Sequence, residues 1–304
     1  MLNHFQYSFM KKISFLIAIS ILYTLSSASD YKNHSDDGWI NLLDNNLTQW
    51  EMYLSYKHKD GYSGKIPTDA NGVEIAPIGY NKNTNNMFTV IQENNEPVLK
   101  VTGEYYGCVF PKEKFRNYRL KLKVKFGSKK WEPRKDKLLD AGVLYHSQGE
   151  AGVDYWRAWM LSQEFQIMEG HFGDYWNIGK SAIDIRAYIP EGAMNSVADE
   201  TQDFIPFGTN TENMGFCLRK MKAETPNNGW TEIELVCFEG KSLHIINGKV
   251  VMVLQNSRFF DGQNFQPLVE GKIQLQSEAG EVYYKDIKIK PITKMPDEFV
   301  NYYK

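Results

Sequence analysis

Residues Glu164 to Trp176 read EFQIMEGHFGDYW, a short stretch with three carboxylates, a glutamine, a histidine and several aromatic rings. In a strand over 163–168, Glu164 and Gln166 project from one face while Phe165 and Ile167 project from the other. The preceding segment, DAGVLYH, places Leu144 and His146 on one face and Val143 and Tyr145 on the opposite one. If the two strands are neighbours in the right register, His146, Glu164 and Gln166 converge. A carboxylate beside an imidazole would act as a proton acceptor or as part of a metal site. Periodicity alone is equally met by a solvated outer face, because half-buried sheets carry polar residues there.

The elements that must hold these residues are strands. In YRLKLKVKF, Tyr118, Leu120, Leu122, Val124 and Phe126 alternate with Arg119, Lys121, Lys123 and Lys125, the period of two of a half-buried strand. The lysines of that stripe read as a solvated face. WTEIELVCF alternates similarly, and in LHIINGKVVMVL the pair Asn247-Gly248 between apolar runs predicts a tight hairpin. GKIQLQSEAGEVYYKDIKIK predicts two more strands with a turn near Ala279-Gly280. No helix pattern stands out. Long polar connections over roughly 55–86, 128–139 and 190–214 predict the loops that shape a cleft. The expectation is an all-β, antiparallel sandwich over 37–292, followed by a C-terminal tail at 293–304.

The chain has 304 residues and a formal net charge of −2, so it carries no electrostatic footprint for nucleic acid. Aromatic residues make up 14% of it, which suits a surface that stacks flat apolar faces. Lys11 and Lys12 precede ISFLIAISILYTL and the small residues SSAS, the pattern of a secretory signal over 1–29. The apolar run is short for a membrane span and no cysteine follows it, so a periplasmic or secreted protein without membrane insertion is expected. Cys108, Cys217 and Cys237 are an odd number, which leaves at least one free thiol; Cys237 shares a face with Ile233 and Leu235 and is expected buried. One bridge remains open, a disulfide framework does not.

EFQIME resembles the E-x-D-x-x-E motif of retaining β-glucanases built on a concanavalin-like sandwich, whose two carboxyls lie ~5–5.5 Å apart. Here Gln166 replaces the central acid, and Glu164 and Glu169 fall on opposite faces of a regular strand. A second resemblance spans Gly38 to Pro291. DGWINLLDNNLTQWE, RNYRLKLKVKF, DAGVLYH, WMLSQEFQIMEGHFGDYW and the closing strands GWTEIELVCFEGKSLHIINGKVV and GKIQLQSEAGEVYYKDIKIKP are similar, in order, to blocks of the 3-keto-disaccharide hydrolase family. Ala141 departs from the family's small polar residue, and the insertions around 55–86 and 190–214 are long.

That resemblance implies a concanavalin A-like jelly roll with long cleft-forming loops, exported, acting on glycosides whose carbon 3 is already a ketone. It implies a base, a proton donor for the leaving oxygen and something to hold enolate charge, with an upstream sugar 3-oxidoreductase as pathway partner. His146, Glu164 and Glu278 become candidate catalytic residues, and Gln166, Gln276, Glu169, Asp174 and Trp176 candidate substrate-binding residues. A divalent metal ion on His146 and Glu164 is the one cofactor expected, with no nucleotide cofactor. Tyr155, Trp156, Trp159 and Tyr175 are stacking candidates or core; His171 reads as a solvated loop residue. Two other functions compete, a retaining β-glucanase-like glycosidase and a non-catalytic carbohydrate-binding domain on the same sandwich.

Overall fold

Alternation along Tyr118–Lys130 makes a strand with two unlike faces. Tyr118, Leu120, Leu122, Val124 and Phe126 are buried, while the intervening side chains pair with carboxylates: Arg119 with Glu234 at 2.6 Å, Lys123 with Asp286 at 2.8 Å and Lys125 with Glu93 at 3.0 Å. The lysine stripe is thus an ion-paired outer face. A computed structural model describes residues 37–304, so the expected signal segment at 1–29 lies outside the described residues. Among those described, antiparallel strands form an eight-stranded and a twelve-stranded sheet. The structure is therefore the all-β sandwich expected.

The twelve-stranded sheet centres on Thr231–Phe238, Tyr118–Lys130 and Gly280–Pro291. The eight-stranded sheet runs in the order Phe216–Cys217, Tyr175–Ile178, Leu161–Met168, Asp140–Gln148, Lys272–Ser277, Gly107–Pro111, Trp50–Leu54, Gly79–Tyr80. Leu120, Leu122, Leu235 and Ile289 from one sheet meet Val109, Val143, Phe165, Ile167 and Leu275 from the other in a shared core. The opposite face of the eight-stranded sheet is then left to the loops.

The hairpin at Asn247-Gly248 forms as expected. Both residues have positive φ (46° and 76°), as a two-residue turn matched to strand twist requires, and Ile246 pairs with Lys249. The 190–214 stretch is partly regular: Phe204–Gly208 pairs with Ser181–Tyr188. The C-terminal residues, expected as a tail, dock on the outside of the twelve-stranded sheet. Phe299, Tyr302 and Tyr303 pack on Val236, Leu243 and Val253, and the Tyr303 hydroxyl donates to the Ser242 carbonyl at 2.7 Å. All three cysteines are free and buried.

Leu122 is 1% exposed, so Leu122→Ala removes packed core volume and is expected to cost about 2–5 kcal/mol. Lys123→Ala breaks a surface pair and is expected to cost less than about 1 kcal/mol. Chemical denaturation of both variants checks the assignment of faces.

Candidate active site

Register brings the chemistry together on the loop-covered face. Glu164 lies opposite Trp176 on one side and Leu144 on the other, and Gln166 lies opposite Gly142. Val143 pairs with Leu275, which sets Gln276 next to Gly142 from the far side. A Cβ at Gly142 would strike Glu164 Oε1 and stand 2.5 Å from Gln276 Oε1. The missing side chain lets groups from both flanking strands meet above the backbone.

One step along the same strand, Asp140 shares the parity of Gly142, and its backbone bridges to Glu278. Arg134, from the 131–139 connection, ion-pairs with Asp140 Oδ2 and reaches Glu278 Oε1 at 3.4 Å. Two carboxylates therefore contact one guanidinium, whose charge also reaches Glu164, and all three are buried: Asp140 is 3% exposed, Glu164 4% and Glu278 5%.

Burial dominates their proton affinities. It pushes Glu164 well above the usual carboxylate range, reinforced by the Asp140 charge and opposed by Gln276 and Arg134. Glu278 is likewise held well above that range by burial and by Asp140. Asp140 is pushed up to about 6 by burial, with Arg134 pulling the other way. One guanidinium thus faces carboxyl groups of unequal acidity, the arrangement that separates a base from an acid.

Several polar atoms here make no hydrogen bond within the protein: Asp140 Oδ1, Gln166 Oε1 and both amide atoms of Gln276. Gln276 sits close enough to Glu164 to favour its ionised form. Buried polar groups are nearly always paired, so these atoms are exceptions within the site.

The cluster opens into a cleft of about 1110 Å³. Trp176 and Ile178 line it beside Glu164 and Gln166, and Val153, Tyr155, Trp156 and Trp159 form a wall. Asp154 shapes that wall by accepting the backbone N–H groups of Trp156 at 2.7 Å and Ala158 at 3.0 Å, and that of Trp159. The indole of Trp159 donates to the Gly107 carbonyl at 2.9 Å. Trp156 stacks between Tyr106 at 4.7 Å and Tyr62 at 5.1 Å, the latter from the 55–86 insertion. The insertion is a buttress for the wall.

Of the expected site residues, Glu164, Gln166, Glu278 and Trp176 line the cleft and Gln276 abuts Glu164. His146 is not with them. A break in register between Tyr145 and Gln148, with His146 at φ 56°, interrupts the alternation. Its ring lies against Tyr118 and Tyr145 on the core side, where burial lowers its pKa to about 4. His146 and Glu164 are therefore not joint ligands of a metal ion. Asp174 is fully buried and binds the Arg219 backbone N–H at 2.8 Å and its guanidinium at 3.2 Å, so it holds a loop rather than a substrate. Glu169 is exposed at a turn, outside the cleft lining. Tyr175 belongs to the core.

Asp140 and Arg134 were not among the expected residues. Asp140 was visible in principle, since 140, 142 and 144 share one strand face; Arg134 sits in an irregular connection and left no periodic signal. Among the described residues no group of three or more His, Cys, Asp or Glu is arranged to hold a metal ion. Arg134 already ion-pairs with two of the carboxylates that would be the donors, a poor fit to a divalent ion.

Among solved structures the chain is similar to a protein of Parabacteroides distasonis ATCC 8503 provisionally assigned as a glycosyl hydrolase, at 18% identity and a TM-score of 0.43, covering 84% of this chain and 94% of that one. It is also similar to the carbohydrate-binding module CBM66 of Bacillus subtilis, at 8% identity and a TM-score of 0.35 over 67% of this chain and 91% of that one. A non-specific endo-β-1,3(4)-glucanase of glycoside hydrolase family 16 matches at 12% identity and a TM-score of 0.39, over 84% and 92%. No curated protein matches the sequence. The model of the 3-keto-alpha-glucoside-1,2-lyase-like domain matches residues 38–290, and the chain belongs to that family of glycoside-processing enzymes.

Proposed function

We propose that the cleft cleaves glycosides whose carbon 3 is a ketone, by proton abstraction at carbon 2 and β-elimination of the leaving group. The observation that carries this reading is the set of buried carboxyl groups of unequal acidity around Arg134, next to amide atoms that lack partners. A C3 ketone acidifies the C2 proton, so a carboxylate with a pKa near neutrality suffices as base. Asp140 has that character, and its Oδ1 is free to accept.

Electron flow is balanced without any redox partner. The C2–H pair forms the enolate; its collapse restores the C3 carbonyl, makes the C1=C2 bond and expels the glycosidic oxygen. Glu164, protonated because burial holds its pKa high, gives its proton to that oxygen. Arg134 and Gln166, which line the cleft beside these carboxyl groups, would hydrogen-bond the enolate and hydroxyl oxygens. Water addition to the enone then yields net hydrolysis. The ketone must come from an earlier sugar 3-oxidoreductase, and export by the N-terminal signal would place the step in the periplasm or outside the cell.

The direct test is incubation with a 3-keto-glucoside and with its unoxidised parent. Release of the leaving group from the ketone alone is the expected result; preference for the parent indicates a conventional glycosidase, and no release from either indicates a binding domain. Asp140→Asn and Glu164→Gln are each expected to lower turnover by ~10²–10⁴-fold in a folded protein. Near-wild-type turnover in either removes that residue from the mechanism.

The pH profile follows from the same assignments. Asp140 must be ionised to accept a proton, so turnover falls as pH drops through about 6. Glu164 must be protonated to donate, so turnover falls again only at a pH well above the usual carboxylate range. A rate that is flat across pH 5 to 7 would contradict the first limb. Gly142→Ala forces Glu164 and Gln276 apart and is expected to lower kcat by about 10²-fold, as an ångström-scale displacement of a reacting group does.

A further inference from the structure

Strand register sets one row of side chains across the cleft face of the eight-stranded sheet: Leu144, Glu164, Trp176 and Phe216, each directly opposite the next. Directly opposite residues have Cβ atoms about 4.5–5.5 Å apart, so the indole of Trp176 starts beside the Glu164 side chain. Phe216 stands on its other side, with the ring centroids 4.5 Å apart and the planes inclined by 40°. Trp176 is 39% exposed, more than any other tryptophan among the described residues, and it lines the cleft. An aromatic ring left open in a cleft next to a few polar groups is the usual make-up of a ligand site.

Phe216 is fixed from both sides. The Phe216–Cys217 strand pairs with Tyr175 and Trp176, and next to it the Asn177 N–H donates to the Gly215 carbonyl at 2.9 Å. On the far side the Leu218 N–H donates to the Ser196 carbonyl at 3.0 Å, and the Ala198 N–H donates to the Leu218 carbonyl at 2.8 Å. Among the described residues none from 190–218 lines the cleft. That long stretch therefore reaches the site through the Phe216 ring against Trp176.

A pyranose has C–H groups on the faces of its ring and hydroxyls around its edge. The row offers a partner for each: an indole for the C–H face, and Glu164 and Gln166 on the neighbouring strand for the edge oxygens. We infer that Trp176 is the stacking platform for the sugar ring that lies beside Glu164, and that Phe216 is the positioning residue that holds the indole at its angle. Naming that ring as the sugar being cleaved rests on the proposed elimination; its stacking on Trp176 does not.

Binding of unoxidised, unreactive sugars separates this inference from the catalytic reading. Methyl α- or β-D-glucopyranoside, titrated by NMR, is expected to bind the wild-type protein saturably and to perturb its tryptophan ultraviolet absorption. Trp176→Ala is expected to weaken that binding at least about tenfold and to remove the perturbation, while Trp176→Phe keeps most of the affinity. Phe216→Ala is expected to weaken binding about threefold and Phe216→Tyr to restore it, a rescue that general damage to the fold would not give. With a 3-keto-glucoside the losses appear in KM more than in kcat. Affinity within about twofold of wild type in Trp176→Ala, or no saturable binding of either glucoside to the wild type, overturns the inference. Weakening in Trp176→Ala with none in Phe216→Ala overturns the role of Phe216. Sugar binding that depends on Trp176, in a protein without turnover of any 3-keto-glycoside, upholds the platform and rejects the elimination.

Discussion

Burial of Asp140, Glu164 and Glu278, with a single guanidinium paired to Asp140 and Glu278, is the constraint on which the rest of the site depends. Ionised carboxylates are expensive to remove from water, and one arginine cannot compensate three. The site resolves the conflict by keeping protons, so its members differ in charge at the same pH. The sheet makes this possible from behind. Ala141, Val143, Phe165 and Ile167 point into the shared core, leaving the alternate positions of the same strands to face the cleft from a dry, rigid surface. The raised proton affinities of these carboxyl groups therefore follow from strand parity and burial.

Loops complete what the sheet begins. Asp154 draws three backbone N–H groups into a tight wall, and Trp156 stands in that wall because Tyr62 and Tyr106 hold its two faces. The wall and the carboxylates line the same cleft, and the wall sets its shape. The 55–86 insertion thus acts at a distance, through ring packing rather than by offering catalytic groups. Gly142 contributes in the opposite sense, by an absence: only without a Cβ there do Glu164 and Gln276 share one space.

The fold was legible because period-two alternation and the Asn247-Gly248 turn are local signals with local causes. Glu164, Gln166, Gln276 and Glu278 were legible for the same reason, since parity along a regular strand decides the face. His146 failed where the strand ceases to be regular: a positive φ and a register break turn its ring toward Tyr118. Asp174 failed because a carboxylate near a candidate site says nothing of its partner, and Arg219, 45 positions later, claims it. Arg134 was hidden because an irregular connection has no period from which a direction can be read. Asp140 obeyed parity, but only contact with Arg134 and Glu278 distinguishes it from a solvated strand end.

Burial gives these carboxyl groups different proton affinities, with Glu164 holding its proton above the usual carboxylate range. Infrared difference spectroscopy between the wild-type protein and Glu164→Gln at pH 7 tests it most directly. Loss of a protonated carboxylic acid C=O band is expected in the variant, persisting until the pH is raised well above the usual carboxylate range. Loss of an ionised carboxylate band at pH 7 instead would contradict it.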